Sequence, residues 1–193
     1  MNAFRRALTA FLLAGLLVAA PVAAAPPERV LVFTKTAKFR HDAIPVAVTT
    51  LQRLVVDEGM AADHTEDARV FTPGNLARYR VVVFASTTGD VLEDAQQAAL
   101  EAFVRKGGGF IGVHAAADTE YDWPWYGQLV GAYFQNHPPG LQSTQVQPEK
   151  DGKPVGPRWP ITDELYNYRA NPRGQVQVIA TVDEREYDGG TMG

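Results

Sequence analysis

Cysteine is absent from the 193-residue chain, and that one absence excludes disulfides, thiolate metal sites and a cysteine nucleophile. The fold must therefore stand on packing alone. A basic surplus is also missing: the net charge of -4 offers no attraction to phosphate backbones or anionic lipid, which sets nucleic acid and membrane surfaces aside as partners. Long apolar runs are confined to Ala7 to Val18, preceded by Arg5 and Arg6 and followed by small residues through Ala25. That pattern predicts a secretory signal peptide over residues 1–25, too short in its apolar core for a membrane span, and hence an exported chain, periplasmic or extracellular. Without those residues 193 − 25 = 168 remain, with a charge of −4 − 2 = −6, enough for one domain with a real core. Nothing in the composition sets the oligomeric state.

What is present reads as alternating strands and helices. Arg29 to Thr34 predicts a first strand, and Ile44 to Glu58 a helix with apolar positions at Ile44, Val48, Leu51, Leu54 and Val55 and a stop at Gly59. Ala61 to Thr65 is a weak second strand, Thr72-Pro73 an N-cap and first-turn pair, and Arg80 to Ser86 a buried third strand. Asp94 to Lys106 predicts a helix ended by Gly107 to Gly109, followed by a strand through Phe110 to Val113. The order β-α-β-α-β-α-β is that of a doubly wound, mostly parallel α/β sheet. Beyond Gly131 the pattern changes to extended additions: a surface hairpin over Gln142 to Gly156, and an alternating run, Gln175 to Val182, whose Val176, Val178, Ala180 and Val182 share one side.

The chemistry-bearing residues are few. Of four histidines, His41, His114 and His137 fall in loops beside turn or strand-end signals, while His64 lies in the weak strand. His114 directly follows a strand, at the carboxyl edge where open α/β sheets bind ligands, and the loop after the first strand can bring His41 to the same edge. A histidine that merely holds a loop explains the same spacing. Asp118, four residues on, either orients the imidazole or caps a helix starting in WPWYGQLV. Tyr121, Trp123, Trp125 and Tyr126 form the densest aromatic cluster; Trp125 and Tyr126 read first as core, Tyr121 and Trp123 as faces for a sugar ring.

Three separated stretches, KTAKFRHDAI, GGGFIGVHAAADTEYDWPWYGQLVGAYFQNHP and DELYNYRANPRGQVQVIATVDEREYDGGTMG, together resemble the ThuA-like, or trehalose-utilisation, family over Arg29 to Gly193. The resemblance implies a flavodoxin-like fold of the class I glutamine amidotransferase type. In those enzymes a cysteine occupies the strand-to-helix elbow; His114 stands there in this chain, so a cysteine-dependent amidotransferase is excluded. It further implies carbohydrate metabolism, with a disaccharide or keto-sugar as the small-molecule partner and a hydrolase, lyase or isomerase reaction. On the family-like motifs His114, His41, Asp118 and Glu164 are the expected acid/base residues, and His137, Tyr121, Trp123 and Tyr166 the expected substrate contacts. Two alternatives stand beside this: a non-catalytic carbohydrate-binding module built on the aromatic cluster, and a divalent-metal site drawing on His41, His114 and His137, since nitrogen and oxygen donors suit zinc, manganese or iron. Family members usually continue past GGTMG with a His-Pro segment and a closing strand, so the chain is expected to be a truncated form.

Overall fold

The computed structural model describes residues 27–189; the expected signal segment lies outside them. Strands β1 (Arg29–Phe33), β2 (Ala61–Thr65), β3 (Val81–Ala85) and β4 (Gly109–Val113) form a parallel sheet in the order β2-β1-β3-β4. Helices α1 (Ile44–Asp57), α2 (Pro73–Leu76), α3 (Asp94–Arg105) and α4 (Pro124–Val130) fill the connections. From β1 the chain moves outward to β2, then crosses back over β1 to β3. The reversal opens a crevice at the carboxyl ends of β1 and β3, the place where sheets of this winding take ligands.

Alternation along β1 shows why the sheet is buried on both sides. Leu31 and Phe33 join Val82, Phe84, Leu100 and Tyr126 on one face, whereas Val30 and Val32 meet Val83, Ala85 and the α1 residues Val48, Leu51 and Val55 on the other. Near-continuous apolar strands are what two covered faces require. Local signals set the ends of the helices. Pro73 follows Thr72, whose side chain accepts from the Asn75 amide, and Gly131 closes α4 in a left-handed conformation at φ 91°. Gly108 permits a close approach, since a Cβ there would stand 2.4 Å from the Phe103 ring.

The remaining chain builds two antiparallel pieces from β5 (Phe134–Asn136), β6 (Gln142–Lys150), β7 (Lys153–Pro154), β8 (Trp159–Asp163), β9 (Asn167–Tyr168) and β10 (Ala180–Val182). Asp151 and Gly152, at φ 53° and 72°, make the tight turn between β6 and β7. The expected surface hairpin is thus present but incomplete as a description, because β6 also pairs with β8 and β10 as the middle of a small sheet. The alternating run after Gln175 forms a strand only at Ala180–Val182.

At the carboxyl edge the loops after β1, β3 and β4 are joined to one another. Ala37 donates to Thr88 O at 2.7 Å, Gly89 donates to Asp118 O at 2.8 Å and Glu120 donates back to Gly89 O at 3.2 Å. Thr88 Oγ1 donates to Phe39 O, and Thr87 Oγ1 meets Thr119 Oγ1 at 2.9 Å. The Glu120 carboxylate, 1% exposed, accepts from the amides of Val91 and Leu92 and from Gln97 Nε2. Burial pushes its carboxyl above the usual range, against the pull of these three donors.

Removing that acceptor leaves buried donors bare, so Glu120→Ala is expected to lower unfolding stability by about 2–4 kcal/mol; a loss below about 1 kcal/mol in denaturant titration would contradict the clamp. Glu120→Gln, which keeps an acceptor, should fold. An acid whose pKa is raised by folding favours the fold most when protonated, so its contribution falls as pH rises from the ordinary glutamate range through the raised value. Over that window Glu120→Gln should gain stability relative to the parent chain.

Candidate functional site

Three separate parts of the fold deliver the site. His41 comes from the loop between β1 and α1, and His114 is the first residue after β4, opening a short 3₁₀ segment, His114–Asp118. Glu164 and Tyr166 lie between β8 and β9, held by the pairing of β9 with β5 and by Asn167 Nδ2 donating to Asn136 Oδ1 at 2.8 Å. His137 follows β5 directly.

These side chains meet. Tyr166 Oη lies 3.0 Å from His114 Nε2 and 3.2 Å from His41 Nε2, and Glu164 Oε2 lies 3.3 and 3.4 Å from the same two nitrogens. The rings of His41 and His114 stand edge to face at 4.7 Å. The His137 ring stacks on Tyr166 at 5.8 Å, and its Nε2 lies 3.9 Å from Glu164 Oε1. Its Nδ1 is 2.7 Å from Pro138 O; a carbonyl accepts only, so Nδ1 carries a proton. Burial, followed by the neighbouring His41 ring, holds the His114 pKa below the usual histidine range. Burial and the Glu164 charge push the Tyr166 phenol far up, which keeps it protonated.

His114 has φ 53°, and Ser86, next to it in register after β3, has φ 52°. A left-handed conformation without glycine is strained and turns the side chain sharply out of the strand. It aims the imidazole toward Glu164 and Tyr166.

Beside His114, Glu164 and Tyr166 a cleft of about 630 Å³ opens, walled by Tyr168, Asn171, Arg173, Val176, Val178 and Val182 among others. The expected one-sided alternation of Val176, Val178, Ala180 and Val182 does appear, as the apolar wall of this cleft. Tyr168 and Phe134, whose ring packs on Tyr166 at 4.3 Å, were not singled out by the sequence reading. Only their place beside NHP and YNY hints at them.

Three expected site residues lie elsewhere. Asp118 accepts from Tyr121 Oη at 2.6 Å instead of reaching the His114 ring, and it does not cap α4, whose N-cap is Trp123. In a 3₁₀ segment the fourth residue on is rotated about 120° from the first, against about 40° in an α-helix. Tyr121 also donates to Phe134 O and carries the Arg169 guanidinium over its ring at 4.3 Å, in a second, polar cleft with Lys38 and Asp118. Trp123 stacks with Trp125 and Tyr126 and packs on the main core. Neither aromatic residue faces the His114 cleft. Because glycine alone adopts φ 53° without a Cβ penalty, His114→Gly should be more stable than His114→Ala by about 1 kcal/mol. Equal stability of the two in denaturant titration would mean that residue 114 is not held left-handed.

No curated protein matches the chain. Among solved structures, a ThuA-like protein from Bacteroides uniformis superposes with a TM-score of 0.69 at 23% identity, covering 86% of this chain and 72% of its own. A ThuA-like protein from Parabacteroides merdae gives 0.65 at 18% identity, covering 85% and 71%. At these identities the likeness speaks for the fold, whose parallel sheet and antiparallel additions agree with the topology above. The sequence profile of the ThuA family, described as trehalose utilisation, matches residues 29–193, and the chain belongs to that family.

Proposed function

We propose that the protein is an exported enzyme of carbohydrate metabolism that transforms a disaccharide or keto-sugar by proton transfer at the His114 cluster. The observation that carries this is the convergence of two imidazoles on a carboxylate and a protonated phenol, each imidazole Nε2 lying 3.0–3.4 Å from Tyr166 Oη and from Glu164 Oε2, beside a cleft of about 630 Å³. Sites for small molecules commonly occupy about 300–1,000 Å³ and combine apolar walls with a few convergent polar groups. Membership of a family described as trehalose utilisation supports a sugar as the occupant. Export is supported by the amino-terminal pattern of Arg5 and Arg6 before an apolar run and small residues.

The chemistry that suits these groups is removal of a proton from the carbon beside a keto group, or from a sugar hydroxyl. An unprotonated ring nitrogen accepts the proton, and Tyr166 Oη is placed to donate to the oxygen on which charge develops. Glu164 orients the rings. No covalent thioester is available, since the chain has no cysteine. The binding-module alternative draws less support, because Arg169 lies over the Tyr121 ring and Trp123 packs on Trp125 and Tyr126.

General acid/base help is worth roughly 10²- to 10⁴-fold in rate. His114→Ala is therefore expected to lower turnover of glucosides or 3-keto-glucosides by that order while its circular dichroism stays native. Undiminished turnover in the variant, or stoichiometric sugar binding with no product from the parent chain, removes the proposal.

A further inference from the structure

The same cluster has the dimensions of a metal cage. Two donors bound at about 2.0–2.1 Å to a tetrahedral ion lie about 3.3–3.4 Å apart. Glu164 Oε2 lies 3.4 Å from His41 Nε2 and 3.3 Å from His114 Nε2, and all three ligand atoms fall within 4.8 Å of one another. Tyr166 Oη, 3.2 and 3.0 Å from the two nitrogens, borders the same space. Hydrogen bonding alone can join these groups only if one ring is protonated at Nε2 and donates while the other accepts from the phenol; a shared cation would take both nitrogens as equivalent donors of lone pairs. His41 Nδ1 is buried without a partner among the described residues. A cation on Nε2 would place the ring proton on that nitrogen, without the outer acceptor that ligating histidines usually have.

We propose that His41 Nε2, His114 Nε2 and Glu164 Oε2 bind one divalent transition-metal ion, zinc by the donor set, with a fourth position beside Tyr166 for a water or a substrate oxygen. Two imidazoles and one carboxylate with a fourth position left for water or substrate is a donor set that suits catalytic zinc. Bound there, the ion polarises the sugar's carbonyl or hydroxyl oxygen. His41 and His114 are then its ligands, and the proton acceptor left beside the site is the third imidazole, His137, whose Nε2 lies 3.9 Å from the outer oxygen of Glu164. The ion's part in turnover rests on the reading of this site as a sugar enzyme; its binding does not.

The test is calorimetric titration of Zn²⁺ into the untagged 193-residue chain stripped with chelator, together with elemental analysis of the protein as purified. One equivalent is expected to bind with a dissociation constant at or below about 1 μM, and His41→Ala, His114→Ala and Glu164→Gln should each weaken it at least 100-fold. His64→Ala, outside the cluster with its ring on Thr34, should leave binding unchanged and raise no doubt about stray imidazoles. No binding below about 100 μM, or binding that survives in the three cluster variants, overturns the site. Sugar turnover by the stripped protein overturns the ion's part in the chemistry and leaves the sugar reading intact. Tight zinc binding with no turnover of any sugar overturns the sugar reading and leaves the metal site standing.

Discussion

The pairing of three loops beyond the sheet is the constraint on which the rest of this structure depends. Thr87, Thr88 and Gly89 continue the parallel ladder past β3, so that the loop after β1 and the segment after β4 hang from the same strut. Glu120 locks the far end of that strut from inside the core. His41 and His114 are brought together by this arrangement and not by their positions in the chain. Neither ring would have a fixed neighbour if the loops moved independently, and the few tenths of an ångström that matter to proton transfer or metal binding would be lost.

A second element completes the site from outside the parallel sheet. The short β5–β9 pair carries Glu164 and Tyr166 over the carboxyl edge, and Asn136 with Asn167 ties that pair together. Polar groups are thereby concentrated where β1 and β3 diverge, while apolar residues of the segment from Val176 to Val182 make the opposite wall of the cleft. The elbow after β4 holds an imidazole in a strained conformation. Burial and a neighbouring ring lower its pKa and so favour the neutral form, the state that can accept a proton or a cation.

Much of the parallel half was legible in the sequence because its signals are periodic. Apolar runs such as VLVF and VVVFA predict strands covered on both faces, and Gly59, Gly107 and Gly131 mark real stops. The antiparallel half was less legible, since strands of two or three residues such as Lys153–Pro154 and Asn167–Tyr168 are too short for alternation to show. Among the site residues, His41, His114, His137, Glu164 and Tyr166 do converge. Asp118 was misplaced because a spacing of four was read as α-helical where the chain forms a 3₁₀ turn. Tyr121 and Trp123 were misplaced for a different reason: an aromatic cluster has the same composition whether it covers a core or greets a sugar, and only the partners of each ring decide.

Convergence of distant loops onto one point is the central claim, and proton–proton contacts in solution test it most directly. The rings of His114 and Tyr166 are 4.4 Å apart between centroids, and those of His41 and His114 are 4.7 Å apart. Nuclear Overhauser spectra of the intact chain, with these aromatic side chains selectively labelled, are predicted to show ring-to-ring cross-peaks for both pairs. Assigned rings that show neither cross-peak would contradict the account.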